Sequence, residues 1–547
     1  APDAKGQVAR GPFYSAGADG TSLLAIPGAK VAGVAGTPLF LVNHLEYQTE
    51  GENSEPGKPP VELYGQLPMA MNLTVLEQSR RDGKLTPARI ANIDFSGTEG
   101  LWIPCNGSTT PWQTHLGSEE YEPDARHFEN KPLAAMNAYL GTPGKLASEG
   151  GANAYHYGHI VEVKVKRDGS TQAVKHYAMG RLSFELGDVM ADRRTVYFGD
   201  DGDDVIRAMF VADKAGDLSS GTLYAAKWQQ ESGENFGRAR LSWIRLGHAK
   251  DAEIKALITR GIRFSDIWEV ASAEAVAAAP EQFAGFRPLY VYPGTGSKPA
   301  LEYYHLKPGQ EKAAAFLETR RYAAWLGATS EFTKMEGIAH SVQDRKQWTV
   351  ISEVRAGMIA GKNGKRPQDD IRLEGDESDL SCGVVYESNL RGGQKDSQGQ
   401  PIASQFVAID MVGKIYGERQ PADAQGSYDK CHTDKLANPD NIRYSEAMRT
   451  LFIGEDSGNH INNFVWAYNV DKGSLTRLLS APAGAENTGL NVYDNLNGHA
   501  YITGNIQHPG AAEDLAKYPE AIRVDLRSKI DQRGVVGYFG GLPGMRR

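Results

Sequence analysis

Residues 192–201 read DRRTVYFGDD, and residues 447–456 read AMRTLFIGED. In both stretches a polar turn leads into a short apolar run that ends on glycine and two acidic residues. Residues 497–505, NGHAYITGN, are a third and looser copy. Apolar runs rich in β-branched and aromatic residues, bounded by turn formers, are typical of short strands. The repeated unit therefore predicts strands that end on polar side chains.

Runs of strand length recur along most of the chain. They lie at 38–42, 159–165, 195–198, 222–228, 348–354, 383–386, 450–453, 464–468 and 499–503. The 61 glycines and 27 prolines exceed average usage and indicate many short turns. This pattern predicts an all-β protein. Irregular repetition at wide spacing favours a β-propeller, whose blades expose strand ends around a channel; a large two-sheet sandwich is the alternative.

One region departs from the β pattern. Three runs have helical spacing or an alanine-rich composition: 251–260, 268–279 and 312–326. Pro280 follows the second run and Gly327 follows the third, as expected at helix ends. We interpret residues 245–330 as a helical insertion that covers one blade or one rim of the channel, within a single domain spanning residues 1–547.

Length and charge restrict the possible partners. The 547 residues, 40% of them hydrophobic, suffice for one large core. A net charge of -9 gives no basic surface for nucleic acid, and the chain has no apolar run long enough for a membrane span. We therefore expect a small molecule or an ion as the partner, and a monomeric protein.

The three cysteines are too few for a disulfide framework. In an exported protein, Cys382 and Cys431 could pair and would leave Cys105 as the odd thiol. An unpaired thiol persists in an oxidising compartment when it is buried or bound to metal. The chain begins at Ala1 without an initiator Met or signal segment, which fits a mature periplasmic or secreted protein, although an artificially expressed fragment would look the same.

Residues 105–120, CNGSTTPWQTHLGSEE, place a soft thiol and two carboxylates in one loop and a short strand. Taken singly, each group has an ordinary structural reading: Cys105 as a small buried hydrophobe, and the adjacent Glu119 and Glu120 as a solvated face. Together they suggest a metal site.

Other acidic and amide groups fall at strand ends or in loops. They are Asn43 and Glu46, Glu185, residues 200–204, Glu336, residues 438–441, and Glu455 with Asp456. Carboxylates that converge in a channel repel one another unless cations lie between them, and calcium takes six to eight oxygen ligands. A calcium-rich pocket follows if these groups converge, whereas separately each is an acidic turn or a solvated side chain.

Taken together, these stretches resemble the PhoX-type alkaline phosphatases, a family of exported bacterial phosphomonoesterases. The similarity runs from about residue 36 to residue 510. The matching motifs, in chain order, are Asn43-His44-Leu45-Glu46-Tyr47, Cys105 with Thr110-Pro111-Trp112 and Glu119-Glu120, Gly180-Arg181-Leu182-Ser183-Phe184-Glu185, Gly199-Asp200-Asp201, Gly221-Thr222-Leu223-Tyr224, Lys334-Met335-Glu336, Pro439-Asp440-Asn441, Glu486-Asn487-Thr488-Gly489 and Gln507-His508-Pro509-Gly510.

The resemblance implies a six-bladed propeller whose channel holds ferric iron (Fe3+) and calcium (Ca2+), with no need for zinc or magnesium. It implies the following metal ligands: Cys105 to iron, and oxygens of Glu120, Glu185, Glu336 and Asp440. It also implies hydrolysis of phosphate esters, with Lys334 and Glu119 as the candidate catalytic residues.

Two positions depart from the family pattern. Lys334 stands where the family has an arginine that contacts phosphate; lysine keeps the charge but lacks the planar fork that holds two oxygens. Phe184 replaces a histidine beside Glu185 and removes a possible hydrogen-bond donor. Two alternatives to a phosphomonoesterase therefore stay open: a phosphodiesterase or other esterase on the same metals, and a calcium-stabilised binding propeller without catalysis.

Overall fold

The computed structural model describes residues 2–7, 14–46, 70–421, 428–511, 515–516 and 518–545. Ala1 and Tyr47, which the sequence analysis used, lie outside these ranges. Each of the nine predicted runs overlaps a strand, and the described chain is mostly β, so the predicted all-β class is confirmed in its strands but the chain also contains helices. None of its helices is long and apolar enough to cross a membrane.

Consecutive strands form antiparallel meanders, which we number I to VI in chain order. Sheet I contains β1 (Ala18–Leu24), β2 (Thr37–Leu45), β3 (Ala70–Gln78) and β4 (Leu85–Asn92). Sheet II contains β5 (Gly107–Thr109), β6 (His115–Gly117), β7 (Ile160–Val165) and β8 (Thr171–His176). Sheet III contains β9 (Phe184–Val189), β10 (Thr195–Asp200), β12 (Ala208–Lys214), β13 (Asp217–Ser232) and β14 (Arg238–Lys250).

The second half of the chain repeats this arrangement. Sheet IV contains β19 (Met335–Ser341), β20 (Lys346–Ile351), β21 (Val384–Arg391), the short β22 (Val407–Ala408) and β23 (Asp410–Tyr416), and the pairing of β14 with β23 joins it to sheet III. Sheet V contains β24 (Pro439–Ser445), β25 (Thr450–Glu455), β26 (Phe464–Asn469) and β27 (Ser474–Ser480). Sheet VI contains β28 (Glu486–Leu496), β29 (His499–Gln507) and β30 (Val535–Pro543).

The first strands of the six sheets contact one another in a closed ring, in the order β1, β5, β9, β19, β24, β28 and back to β1. Glycines permit this close approach. A Cβ on Gly20 of β1 would lie 2.6 Å from the amide nitrogen of Gly107, and a Cβ on Gly337 of β19 would lie 2.4 Å from the carbonyl oxygen of Asp440. Side chains at the ends of these strands are therefore brought together at the centre of the molecule.

The helices are short and lie mostly in the connections. They are α1 (Ala125–Phe128), α2 (Ala134–Leu140), α3 (Asp251–Thr259), α4 (Phe264–Ile267), α5 (Ala273–Ala278), α6 (Glu311–Leu317), α7 (Thr319–Trp325), α8 (Glu377–Leu380) and α9 (Glu520–Lys529). Single 3-10 turns occur at Ser96–Thr98, Ala147–Glu149, Ala154–His156, Tyr177–Met179, Pro280–Phe283 and Ala356–Met358.

The insertion is less helical than the sequence indicated. It follows β14, which ends at Lys250, and it contains a three-stranded sheet of β15 (Trp268–Ser272), β16 (Arg287–Leu289) and β17 (Glu302–Leu306) beside its helices. The predicted helix at 268–279 was wrong in its first half, because Trp268–Ser272 pairs with β17. The predicted helix at 312–326 is divided at Glu318 into α6 and α7.

Two further features fix the surroundings of the ring. A two-stranded ladder of β11 (Asp203–Val205) and β18 (Phe332–Thr333) links sheet III to the segment before sheet IV. Cys382 and Cys431 form the disulfide that the sequence left possible, and Cys105 is a buried free thiol.

Candidate metal centre

The first hairpins of four sheets carry polar side chains at equivalent positions. In sheets I, III, IV and V the first two strands form an antiparallel hairpin. At its open end, the first residue of the first strand pairs with the last residue of the second strand. The residues directly following each member of these pairs along the chain are Asp19 and Glu46, Glu185 and Asp201, Glu336 and Ser352, and Asp440 and Asp456. The same backbone register therefore places two polar side chains at one end of the ring in each of these four sheets.

Sheets II and VI supply the remaining donors less regularly. Cys105 precedes β5 by two residues and Glu120 follows β6 by three, whereas Glu486 is the first residue of β28. The carbonyl oxygen of Cys105 accepts a hydrogen bond from the amide of Gly20 at 3.1 Å and also contacts the ring of His44. The neighbouring sheet I therefore fixes the backbone that carries the thiol.

Ten side chains form one continuous array of possible metal ligands. It consists of five overlapping groups, and within each group the donor atoms lie within 4.8 Å of one another. The groups are Asp19, Glu46 and Cys105; Cys105, Glu120 and Glu185; Glu120, Asp201 and Glu336; Glu185, Glu336 and Asp440; and Asp440, Asp456 and Glu486. All are buried except Asp456. We call these ten residues the ligand cluster.

The electrostatics of the ligand cluster favour the binding of positive ions. Burial, reinforced by neighbouring carboxylates, raises the pKa of Glu46 and Glu185 to about 8 and raises that of Asp440 well above its ordinary value. In the described part of the chain, one oxygen each of Asp19 and Asp201 accepts no hydrogen bond although it is buried. Unsatisfied buried carboxylate oxygens beside a soft sulfur are a donor set that fits hard cations together with a metal that accepts thiolate.

The Cys105 thiol lies inside this array. Its Sγ is 3.0 Å from a carboxylate oxygen of Glu185 and 3.7 Å from one of Asp19. Burial, followed by the negative charges of Asp19 and Glu120, raises the pKa of the thiol well above its ordinary value. A cation would reverse this effect, because a metal-coordinated thiol is deprotonated.

Lys334 is the cation that touches the ligand cluster. Its Nζ lies 2.6 Å from Asp201 and 3.1 Å from Glu336, and its side chain is 21% exposed. Burial opposes ionisation of Asp201, but the charge of Lys334, together with hydrogen bonds from Glu120, Lys334 and Tyr121, outweighs it and lowers the pKa of that carboxyl to about 2. The hydroxyl of Tyr121 donates to the same carboxylate. Lys334 thus presents a fixed positive charge at the accessible side of the cluster.

The structure does not bring Glu119 to this cluster. One of its carboxylate oxygens accepts from the amide of Trp102 at 2.8 Å and lies 2.8 Å from Nζ of Lys175; the other accepts from the amides of Gly158 and His159 at 3.0 and 3.1 Å. Both charged side chains are completely buried. Glu119 therefore stabilises the structure around sheet II through these contacts, while the adjacent Glu120 faces the cluster.

Phe184 also faces away from the cluster. Its ring is buried 5.0 Å from that of Phe198 in the apolar core. Because successive side chains of a strand point to opposite faces, Glu185 on the same strand turns toward the donors. The departure from the family pattern at Phe184 thus falls in the core.

Sequence reasoning brought Cys105, Glu120, Glu185, Glu336, Asp440 and Lys334 to one site, and the structure places all six there. Glu46, Asp201 and Asp456 were named among the groups that would form a calcium pocket if they converged, and Glu486 lies in a matching motif, but none of these four was assigned as a ligand and Asp19 was not considered. The repeated Gly-acid-acid ending of the units at 192–201 and 447–456 was the available signal, since its last residue is Asp201 in one copy and Asp456 in the other. Asp19 had no such signal, because its register appears only in the folded hairpin.

Comparisons with known proteins agree with this geometry. The family described as alkaline phosphatase PhoX matches residues 86–510, which is more than half of the chain. The structure of Pseudomonas fluorescens PhoX in complex with vanadate, a transition-state analogue, is similar with a TM-score of 0.58 and 17% identity, over 91% of this chain and 84% of that chain. At that identity the similarity establishes a shared fold.

Other solved structures are more distant. A gluconolactonase from Xanthomonas campestris has 10% identity and a TM-score of 0.27, over 89% of this chain and 95% of that chain, which is too low to carry an argument. No curated protein sequence matches. The family match, together with a buried array of metal-type donors, leads to one conclusion: this chain belongs to the PhoX family of alkaline phosphatases and is a phosphatase.

Proposed function

We propose that the protein hydrolyses phosphate monoesters at an iron and calcium centre held by the ligand cluster. The observation that carries this proposal is the convergence of nine carboxylates and one thiol from all six sheets, with Lys334 in contact with two of the carboxylates. Cys105 would ligate Fe3+, and the carboxylates of Glu120, Glu185, Glu336 and Asp440 would supply oxygen ligands to Fe3+ and Ca2+.

We also propose that the six meanders are the blades of a single propeller domain. The closed ring of first strands supports this arrangement, since the innermost strands of a propeller surround its channel. The third and fourth strands of the ring, β9 and β19, belong to sheets III and IV, and the pairing of β14 with β23 joins these two sheets at their outer sides. The insertion then lies against the outer strand β14, where α3, α6 and α7 contact it.

The residues of the site have distinct roles in this proposal. Bound Fe3+ and Ca2+ would supply Lewis acidity and positive charge for the reacting phosphate and for a nucleophilic oxygen. Lys334 places its ammonium group beside the carboxylates, where it stabilises negative charge on the transferring phosphoryl group. Asp201, Glu336 and Tyr121 orient this group, because Asp201 and Glu336 contact Nζ and Tyr121 donates to Asp201.

The disulfide supports an exported location. Such bonds persist in oxidising compartments and are rare in the reducing cytosol. Cys382 and Cys431 are both buried where they pair. We propose a periplasmic or secreted phosphatase that acts on small phosphate esters as a monomer; sedimentation of the purified protein would measure its oligomeric state.

The direct test compares p-nitrophenyl phosphate with bis(p-nitrophenyl) phosphate, with and without a chelator, alongside elemental analysis. We expect chelator-sensitive hydrolysis of the monoester and bound iron and calcium. Preference for the bis-ester would instead assign a phosphodiesterase. An active protein without iron would refute the role of Cys105, and activity unaffected by exhaustive chelation would refute the metal centre.

A further inference from the structure

A second buried charge network lies behind the ligand cluster and is centred on Arg320 of the insertion helix α7. Its Nη2 and Nε lie 2.5 and 3.1 Å from the two carboxylate oxygens of Asp200, and its Nη1 lies 2.7 Å from Glu122. The same Nη1 donates to the carbonyl oxygen of Tyr292 at 2.9 Å. The side chains of Arg320, Asp200 and Glu122 are at most 4% exposed.

The Asp200 carboxylate extends this network into the backbone. It accepts hydrogen bonds from the amides of Ser183 and Ile206, both at 3.1 Å. Ser183 in turn accepts from the amide of Tyr121 through its hydroxyl at 2.8 Å and from the amide of Asp201 through its carbonyl at 2.8 Å. One guanidinium therefore ties together three segments that are distant in sequence.

Each of these segments carries a member of the ligand cluster within two residues of the network. Glu122 follows Glu120 by two, Ser183 precedes Glu185 by two, and Asp200 directly precedes Asp201. Because only one or two residues connect each network member to its ligand, the separation of these three ligands depends on the network.

We propose that Arg320 is a positioning residue for the metal centre, and that the insertion takes part in the phosphatase site through it. This inference rests on the proposed function, since it concerns the same cluster. It assigns the insertion a role in metal retention that its place on the outer strand of sheet III does not suggest.

Arginine suits this position because its planar fork contacts Asp200 with two nitrogens while a third reaches Glu122. Lysine could keep the charge but not all three contacts. Loss of a group that orients metal ligands lowers metal affinity by about 10–100-fold. We therefore expect a graded loss, larger for Arg320→Met than for Arg320→Lys.

The adjacent Arg321 provides a matched control. It is 5% exposed and also contacts two buried carboxylates, Asp124 at 3.0 Å and Glu318 at 2.5 Å. Glu318 belongs to the insertion itself, and Asp124 lies four residues beyond Glu120. Its removal disturbs a comparable buried ion network that contacts only one of the three ligand-bearing segments, and does so two residues farther from the ligand than Glu122.

The experiment measures calcium affinity by competition with a chromophoric chelator, bound iron by elemental analysis and visible absorption, and thermal stability, in full-length Arg320→Met, Arg320→Lys, Arg321→Met and Arg321→Lys. We expect calcium affinity to fall by about 10-fold or more in Arg320→Met, with partial rescue in Arg320→Lys. The two Arg321 variants should lose comparable stability and keep calcium affinity within about 3-fold of wild type. The lysine variants retain the charge and allow the comparison if a methionine variant does not fold.

Equal losses of calcium affinity in the Arg320 and Arg321 variants, or wild-type affinity in Arg320→Met, would overturn the positioning role. Calcium binding by a wild-type protein that hydrolyses neither ester would instead refute the proposed function and leave this comparison intact. A wild-type protein that takes up neither iron nor calcium would refute both.

Discussion

Two buried acidic regions of this protein balance their charge in different ways. Behind the site, Asp200 and Glu122 face Arg320, and Glu119 faces Lys175. In the ligand cluster the carboxylates face one another, and Lys334 contacts two of them. The first region pairs its carboxylates with arginine and lysine side chains of the chain, whereas the second has more carboxylates than cations among the described residues and would be stabilised by bound metal ions.

The pKa values of the two regions differ in degree, because beside Arg320 burial still raises the pKa of Asp200, but only to about 6. Burial and neighbouring carboxylates raise the pKa of Glu46 and Glu185 to about 8, so without metal these groups take up protons near neutral pH. An isolated buried charge costs several kcal/mol, which protonation or a bound cation avoids. Metal binding should therefore release protons and stabilise the fold.

Removal of the cations should have the largest effect. We expect a chelator to abolish hydrolysis and to lower the free energy of unfolding by roughly 4 kcal/mol relative to protein held at a thousand times the metal dissociation constant. The ion pairs behind the site need no metal and should keep the chain folded. Calorimetry and activity in calcium and in excess chelator measure both effects; identical melting in the two conditions would contradict the comparison.

Lys334 should be next in effect. Lys334→Met removes the one ammonium group in contact with the ligand cluster in the described structure, and we expect kcat to fall by about 10²–10³-fold. Lys334→Arg keeps the charge and should retain much of the activity. Steady-state kinetics with p-nitrophenyl phosphate, combined with metal analysis, provide the measurement. A wild-type kcat in Lys334→Met at unchanged metal content would exclude a role in stabilising the transition state.

Glu119 and Glu120 are adjacent in sequence but belong to different regions, since Glu119 lies in a buried ion pair and Glu120 lies in the ligand cluster. Glu119→Gln breaks a buried pair with Lys175 and should lower the free energy of unfolding by about 3–5 kcal/mol, with little change in metal content. Glu120→Gln should lower metal content and activity, and should destabilise the metal-free protein little, because it removes a repulsive carboxylate. Denaturant unfolding with chelator and elemental analysis without it distinguish the two variants.

The reverse pattern, with metal lost from Glu119→Gln and stability lost from metal-free Glu120→Gln, would show that the two side chains exchange roles in solution. Similar losses of metal content and of stability in both variants would remove the distinction between a structural residue and a ligand.

The sequence predicts the strands well because short apolar runs between turn formers have few other stable arrangements. It fails at 268–279, where alanine content indicates a helix but Trp268–Ser272 pairs with β17 and buries Trp268. Tertiary packing overrides local propensity there. The break at Glu318, where the backbone leaves the helical region, likewise has no signal in the local sequence.

The ligand roles were predicted only at some of the residues that family motifs mark. Cys105, Glu120 and Asp440 lie in such motifs, but adjacency in a motif says nothing about direction, and Glu119 beside Glu120 turns the opposite way. Asp19 is a ligand candidate because of the register of β1 with β2, which depends on long-range pairing. Strand register and side-chain direction are properties of the folded sheets, so they are the features that are hardest to predict from a single sequence.

The smallest expected effect concerns His176, which ties the insertion to sheet II. Its ring nitrogens lie 2.9 Å from Asp251 at the start of α3 and 3.2 Å from Glu162 of β7. Burial alone would lower the pKa of His176, but these two carboxylates outweigh it and raise the pKa to about 9. The folded value exceeds the unfolded value of about 6.5, so this stabilisation is fully present below pH 6.5 and is lost as the pH rises through 9. Unlike the guanidinium pairs of Arg320, this link should therefore weaken in alkaline solution, by an amount on the order of 3 kcal/mol.

Denaturant unfolding of wild type and His176→Gln at pH 6, 7.5 and 9.5, all in excess chelator, isolates the effect from metal binding. The difference between the two proteins should shrink toward high pH; a difference independent of pH would mean that the histidine acts through packing and not through its charge.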